Sequence, residues 1–306
     1  MRESELLRHI AERSPVRALG PGVVVGPGDD CAVLAPSGRD LLVTVDHLVE
    51  GRHFAPHPGT PIDAIARKAV ARSVSDIAAM AGTPAWGLAT GALPPEWMAG
   101  GRAGADELFD RMAHWARHWH CPLVGGDISS LPGGAGSPLV LTVTVAGHVH
   151  ATRGAVLRSG ACAGDAVWMT GRIGGSLKSG RHLTFEPRVA EGRWLADTLG
   201  EDLHAMIDVS DGLGRDAGRI AAASGVRVEI ERARVPLHGD AGATALADGE
   251  DYELVFTTAA GVELPPACPL TGVALTRIGR VATGGGCGII EPDGCVVEGA
   301  DLGWDH

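Results

Sequence analysis

Two hydrophobic periods alternate along this chain, and that alternation restricts it to folds in which helices pack on sheets. DLLVTVDHL (40–48) is a β-branched run and reads as a strand. TPIDAIARKAVARSVSDIAAMAG (60–82) reads as a helix, with Thr60 as its cap, Pro61 at the first helical position and Gly82 at its close. AWGLATGAL (85–93) predicts a strand, ADELFDRMAHWARHW (105–119) a helix, and PLVLTVTVAGHV (138–149) a long strand after a Gly/Pro-rich loop at 131–138. Around 150–165, HATRGAVLRSGACAGD loses periodicity and marks a crossing between domains. The pattern then restarts: strand AVWMT, glycine loop GRIGGS, a helix near 187–199, strand AMIDVS, helix GLGRDAGRIAAAS, strand VRVEI, a helix near 239–247 and strand YELVFT. The expectation is an α/β chain of two domains, 1–150 and 151–306, and 306 residues with 45% hydrophobic content supply both cores.

The formal charge is −11 and the Lys and Arg residues are scattered, which argues against a nucleic-acid groove or an anionic membrane surface. No apolar run approaches the ~20 residues of a membrane span, and MRESELLRHIAERS reads as an amphipathic helix rather than a secretory signal, so a cytoplasmic protein is expected. Six cysteines without a CxxC pair read as reduced thiols, with no zinc site expected from their spacing. HWARHWH (114–120) reads as part of an ordinary helix rather than a metal site.

Against that acidic background, carboxylates recur beside glycines. GPGDD (26–30) holds Asp29 and Asp30, whose simplest reading is a turn. Asp46 ends the apolar strand LLVTV, Asp127 follows PLVGG, and Asp208 ends AMI with Ser210 and Asp211 just beyond it. Strand ends of this kind are where α/β sheets place ligands. On the helix 62–77, Asp76 falls inside the apolar stripe, between Ile65 and Ala69. It reads equally as a buried metal ligand or as the partner of Arg72, one turn back. Together the carboxylates form an all-oxygen donor set suited to Mg²⁺ and phosphates, with nearby glycines letting backbone amides approach phosphate oxygens. There is no GxxxxGK[ST] loop, and TGRIGGS lacks GxGxxG spacing and reads as a turn. Arg158 is a phosphate contact or a surface residue.

The blocks GDDCAVL, TVDHLVEGRHF, KAVARSVSDIAAMAG, VGGD, LRSGACAGDAVWMTG, IDVSDGL, DGEDYELVFT and LGWDH resemble, in order, those of the thiamine-monophosphate kinases. These belong to the aminoimidazole ribonucleotide synthetase-like superfamily. The resemblance implies that superfamily's two-domain α/β fold with mixed sheets, a homodimer formed through the N-terminal sheet, and a C-terminal domain closing over the nucleotide. It implies ATP-dependent phosphorylation of thiamine monophosphate to thiamine diphosphate with several Mg²⁺ ions. By block, Asp30, Thr44, Asp46, Asp76, Asp127, Asp208 and Asp211 match metal ligands; Gly126, Asp127, Arg158 and Ser210 match ATP contacts; His53, Glu250 and Trp304 match substrate contacts. Taken alone, His53 reads as a loop histidine and Trp304 as a packing residue. No residue matches a general base, none being needed for a phosphate acceptor. Val45 stands where relatives often carry Thr, GGDISS replaces the usual GGDTT, and the sequence ends at His306 where relatives often add Phe. The alternatives are another ATP-using synthetase of the superfamily and a non-catalytic nucleotide-binding regulator.

Overall fold

The computed structural model describes residues 23–25, 29–35, 40–95, 97, 103–132, 136–239, 241–242 and 244–304. The expected N-terminal helix, Pro27, Gly28, Asp305 and His306 lie outside them. Strands β1 (Val23–Val25), β2 (Ala32–Leu34), β3 (Leu41–Val49), β4 (Thr83–Leu93), β5 (Leu123–Ser130) and β6 (Val140–His148) form one sheet in the order β1-β2-β3-β6-β4-β5. Its pairs are antiparallel except β4 with β5. Along β3, Leu42, Thr44 and Leu48 are buried while Val45 is 59% exposed, so one face meets the core and the other stays open.

Helix α1 (Ile62–Ala79) packs on the covered face beside α2 (Ala103–His118). Its stripe Ile65, Val70, Val74 and Ile77 is fully buried. Pro61, not Thr60, is the N-cap residue and no side chain caps the helix; Thr60 is itself buried. The far end of α1 enters the second half, where Ala79 and Ala81 pack with Trp168, Leu195 and Phe256. One helix therefore serves both cores.

The second sheet holds β7 (Ala166–Thr170), β8 (Leu203–Asp208), β9 (Arg227–Glu231), β10 (Leu254–Thr258), β11 (Leu275–Ala282), β12 (Gly286–Ile290) and β13 (Val296–Glu298), in the order β13-β12-β9-β11-β7-β10-β8. Every residue of β7 and β10 is buried, as expected for strands covered on both faces. Helices α3 (Val189–Leu199) and α4 (Leu213–Ser224) follow the sequence reading. Among the described residues, no helix forms near 239–247, where one was expected: residues 244–247 are turns, closed by Ala245 N–H to Gly242 O and Ala247 N–H to Thr244 O. Gly239, Gly242 and Gly249 interrupt a segment that is otherwise alanine-rich, and three-residue turns satisfy its backbone instead.

Candidate functional site

A cavity of about 770 Å³ opens between the carboxyl end of β3, the middle of α1 and the end of β8, a size typical of small-molecule sites. Its floor is acidic. Asp30 precedes β2, Asp76 lies on α1 and Asp208 ends β8, and one carboxylate oxygen from each lies within 4.8 Å of the others. The Thr44 hydroxyl donates to Asp76, and the Ser75 hydroxyl donates to Asp208 at 2.6 Å. Burial, with Asp46, Asp208 and Asp30 close by, pushes Asp76 well above the usual carboxylate range. Burial and the Asp30 charge do the same to Asp208. Such a group is stable in its ionised form only with a compensating cation.

Two arginines border the floor. Arg158 Nε and Nη2 donate to Asp30 at 3.0 and 2.8 Å, and its backbone N–H reaches Asp29 at 3.2 Å. Burial opposes the guanidinium charge, but Asp30 and Asp29 outweigh it and raise the Arg158 pKa. Arg72 turns to Asp46 at 3.5 Å and Glu250 at 3.6 Å rather than forming the Asp76 pair considered from sequence.

The loop after β8 is held from below. One oxygen of the buried Asp216 accepts the N–H groups of Ser210, Asp211 and Gly212 at 3.0, 2.9 and 3.1 Å. Arg219 donates to its other oxygen at 2.7 Å and to the Asp211 carboxylate. Gly212 has φ 119°, a conformation open to glycine alone without strain. Burial raises the Asp216 pKa to about 7 against the pull of Arg219, and Asp216→Ala should cost about 2 kcal/mol in urea unfolding because the acceptor for three amides is lost. An unchanged midpoint would show that water replaces the carboxylate.

The opposite wall carries Glu250, His53, Tyr252 and Trp304. Glu250 and Tyr252 both have positive φ, and their N–H groups bond Ser210 O and Val209 O at 2.7 and 2.8 Å, which ties this segment to the Asp208–Asp211 loop. Lys68, fully buried on α1, donates to Glu250, to His53 O at 2.7 Å and to His182 Nδ1 at 2.8 Å. Burial pushes Lys68 down to about 8 despite Glu250. Burial would raise Glu250, but His182, Lys68 and Arg72 hold it at about 2. The two shifts differ in emphasis, yet both leave the pair charged at neutral pH. Burial and Arg72 lower His53 to about 4, and its Nδ1 accepts Val49 N–H at 2.9 Å, so the neutral ring carries its proton on Nε2. Trp304 bonds Asp211 O through its N–H and Asp248 O through Nε1, leaving the indole 50% exposed at the cavity mouth.

The cavity thus gathers Asp46, His53, Asp76, Asp208, Ser210, Asp211, Glu250 and Trp304, with Asp30, Thr44 and Arg158 attached through the carboxylates. Gly126 and Asp127 do not join them. They lie on the outermost strand β5, and the register His47–Thr142–Thr90–Asp127 puts Asp127 three strands from the cavity rim, about 14 Å at ordinary strand spacing. Around them is a separate shallow cavity lined by Ala89, Phe109 and Leu123. The expectation that all the carboxylates line one cleft within the chain therefore fails at Asp127, because the strand order separates β5 from β3. Sequence reasoning overlooked Lys68, Tyr252 and His182; a signal for the first was the charged series Lys68, Arg72, Asp76 at four-residue steps in an apolar helix.

The family described as AIR synthase related protein, N-terminal domain, matches residues 28–149. A thiamine-monophosphate kinase of Rhodopirellula baltica is 37% identical over 281 residues, covering 85% of this chain and 84% of its own. That of Bacillus subtilis is 34% identical, covering 92% and 91%. The solved structure of AaThiL complexed with AMPPCP and TMP superimposes with TM-score 0.81 at 27% identity, covering 100% of this chain and 97% of that one.

Proposed function

The chain belongs to the thiamine-monophosphate kinase family, and from that membership we propose that it joins two phosphate groups by direct in-line transfer in the cleft floored by Asp30, Asp76 and Asp208. It uses ATP to phosphorylate thiamine monophosphate, giving thiamine diphosphate. The observation that carries the mechanism is the convergence of those three carboxylates, from distant parts of the chain, within 4.8 Å.

Asp30, Thr44, Asp46, Asp76, Asp208 and Asp211 would hold several Mg²⁺ ions, since a buried all-oxygen donor set fits that cation. Bound magnesium supplies the positive charge that offsets repulsion between the acceptor phosphate and the γ-phosphate. The acceptor is a phosphate monoester with a second pKa of about 6, already largely dianionic at neutral pH, so the chain needs no general base and none is assigned. Ser210 and Arg158 stand at the nucleotide end. Ionised Glu250 faces the thiamine moiety, whose thiazolium ring is cationic, His53 offers Nε2–H, and Trp304 stacks on its rings.

The same reading makes the protein a cytoplasmic homodimer. No helix among the described residues is long and apolar enough to cross a membrane. The open face of the first sheet carries Val45, Leu88 and Val124 at 59%, 37% and 64% exposure, a surface suited to a second copy. With a two-fold axis along the strands, β5 of one subunit would lie toward β3 of the other, and Gly126 and Asp127 would then complete the ATP end of the partner's cleft. Residues 1–150 form the metal-binding, dimer-forming domain in this scheme, and 151–306 the domain that closes over nucleotide and substrate.

An ADP-release assay with and without thiamine monophosphate and Mg²⁺ tests the proposal: release should require both, with thiamine diphosphate formed in equal amount. ADP release that ignores thiamine monophosphate would overturn it. Trp304→Ala should raise KM for thiamine monophosphate about tenfold and leave KM for ATP nearly unchanged, since a stacked ring is worth about 0.5–1.5 kcal/mol. Equal changes in both constants would remove the stacking role.

A further inference from the structure

At the opposite end of the edge strand β8 from Asp208, the turn Cys162-Ala163-Gly164-Asp165 and His204 bring three different donors together. One ligand atom each from Cys162, Asp165 and His204 lies within 4.8 Å of the others. We propose that this cluster binds a single divalent ion of the zinc class, with water completing four-coordination. The inference is independent of the kinase mechanism.

The donor chemistry selects the ion. One sulfur, one nitrogen and one oxygen suit zinc or a similar borderline metal, whereas Mg²⁺ takes oxygen donors and belongs with the carboxylates of the cleft. The geometry is largely preformed. Gly164, at φ +103°, lets the chain reverse within the turn, and Asp165 N–H closes it on Cys162 O at 3.0 Å. One Asp165 oxygen accepts Cys162 N–H at 2.8 Å and lies 2.8 Å from His204 Nδ1, so the imidazole is already held beside the carboxylate. Asp165 is buried, His204 half-buried and Cys162 exposed, which anchors the site on its inner side and leaves it accessible from solvent. Cys-x-x-Asp is not a pair that cysteine counting detects, because two of the three donors are not cysteine and His204 is 39 positions from Asp165. Among the described residues, Cys295, the other exposed thiol, belongs to no such group.

Cobalt(II) titrated into the full-length protein in excess Mg²⁺ gives a direct readout. A thiolate-to-cobalt charge-transfer band should grow to one equivalent per chain and be bleached by Zn²⁺. Cys162→Ser should abolish the band, and His204→Gln should weaken cobalt affinity at least tenfold. Cys295→Ser should change neither. Kinase activity retained in each variant would show that it is folded. Absence of the band in the wild type at saturating cobalt, its persistence in Cys162→Ser, or its loss in Cys295→Ser would overturn the proposal. Cobalt bound only in the carboxylate cleft gives no sulfur band, so that outcome also counts against it.

Discussion

Asp76→Asn or Asp208→Asn is expected to lower kcat about 10³-fold and, in metal-free protein, to raise the melting temperature. Both effects come from one property of the site. Asp76, Asp208 and Asp30 lie within 4.8 Å in buried surroundings, and burial together with mutual repulsion raises the pKa of Asp76 and Asp208. In the proposed mechanism a bound cation would offset that repulsion and supply the charge that two phosphates need. Removing one preorganised electrostatic partner of a transition state typically costs about 10²–10³ in turnover, and here the lost group would also weaken cation binding. An amide at either position removes a repulsive charge while retaining an oxygen toward Thr44 or Ser75. Steady-state kinetics with Mg²⁺ and calorimetry in chelator measure the two effects separately. Lower activity with lower metal-free stability would point to a structural role instead, and near-normal turnover would remove these residues from the mechanism.

Lys68→Met is expected to raise KM for thiamine monophosphate about 10²-fold, leave KM for ATP nearly unchanged, and reduce stability by about 3–5 kcal/mol, the usual cost of breaking a buried ion pair from one side. Lys68 is fully buried and joins Glu250, His182 and the His53 carbonyl, so it fixes the wall assigned to the thiamine rings. Two pH effects follow. Burial puts the Lys68 pKa at about 8, so wild-type KM for thiamine monophosphate should climb above that pH as the ammonium loses its proton. Glu250 has a folded pKa of about 2 against 4.5 unperturbed, so its contribution is fully present above about pH 4.5 and is lost as the pH falls through about 2. Glu250→Gln should remove that acid dependence. A uniform rise of both KM values in Lys68→Met would mean that the lysine supports the fold without orienting the substrate wall.

The elements that sequence periodicity located are those whose own pattern decides their state. The α1 stripe was legible because Ile65, Val70, Val74 and Ile77 recur at helical spacing, and Asp76 stood out as the carboxylate within it. Strands β3, β6, β7 and β10 were legible as long apolar or alternating runs. Strand β11 was not, because its path depends on a neighbour. Gly279 marks a register shift where an added Cβ would lie 2.0 Å from Glu229 O, and only the packed sheet shows why glycine is needed. The Lys68 network was hidden for a similar reason: His182 and Glu250 are 114 and 182 positions away, beyond any local pattern. Asp127 shows the reverse case. Its Gly-Gly-Asp motif was visible, but it lies inside β5 (Leu123–Ser130) rather than at a strand end, and β4 and β6 intervene between it and Asp46.

Because α1 lends one end to the first core and the other to Trp168, Leu195 and Phe256, neither half keeps its hydrophobic cover if the other opens. Denaturation is thereby pushed toward a single cooperative event spanning both sheets. The helix that presents Arg72 and Asp76 to the cleft and buries Lys68 behind its wall is then among the last segments to exchange its amide hydrogens with solvent.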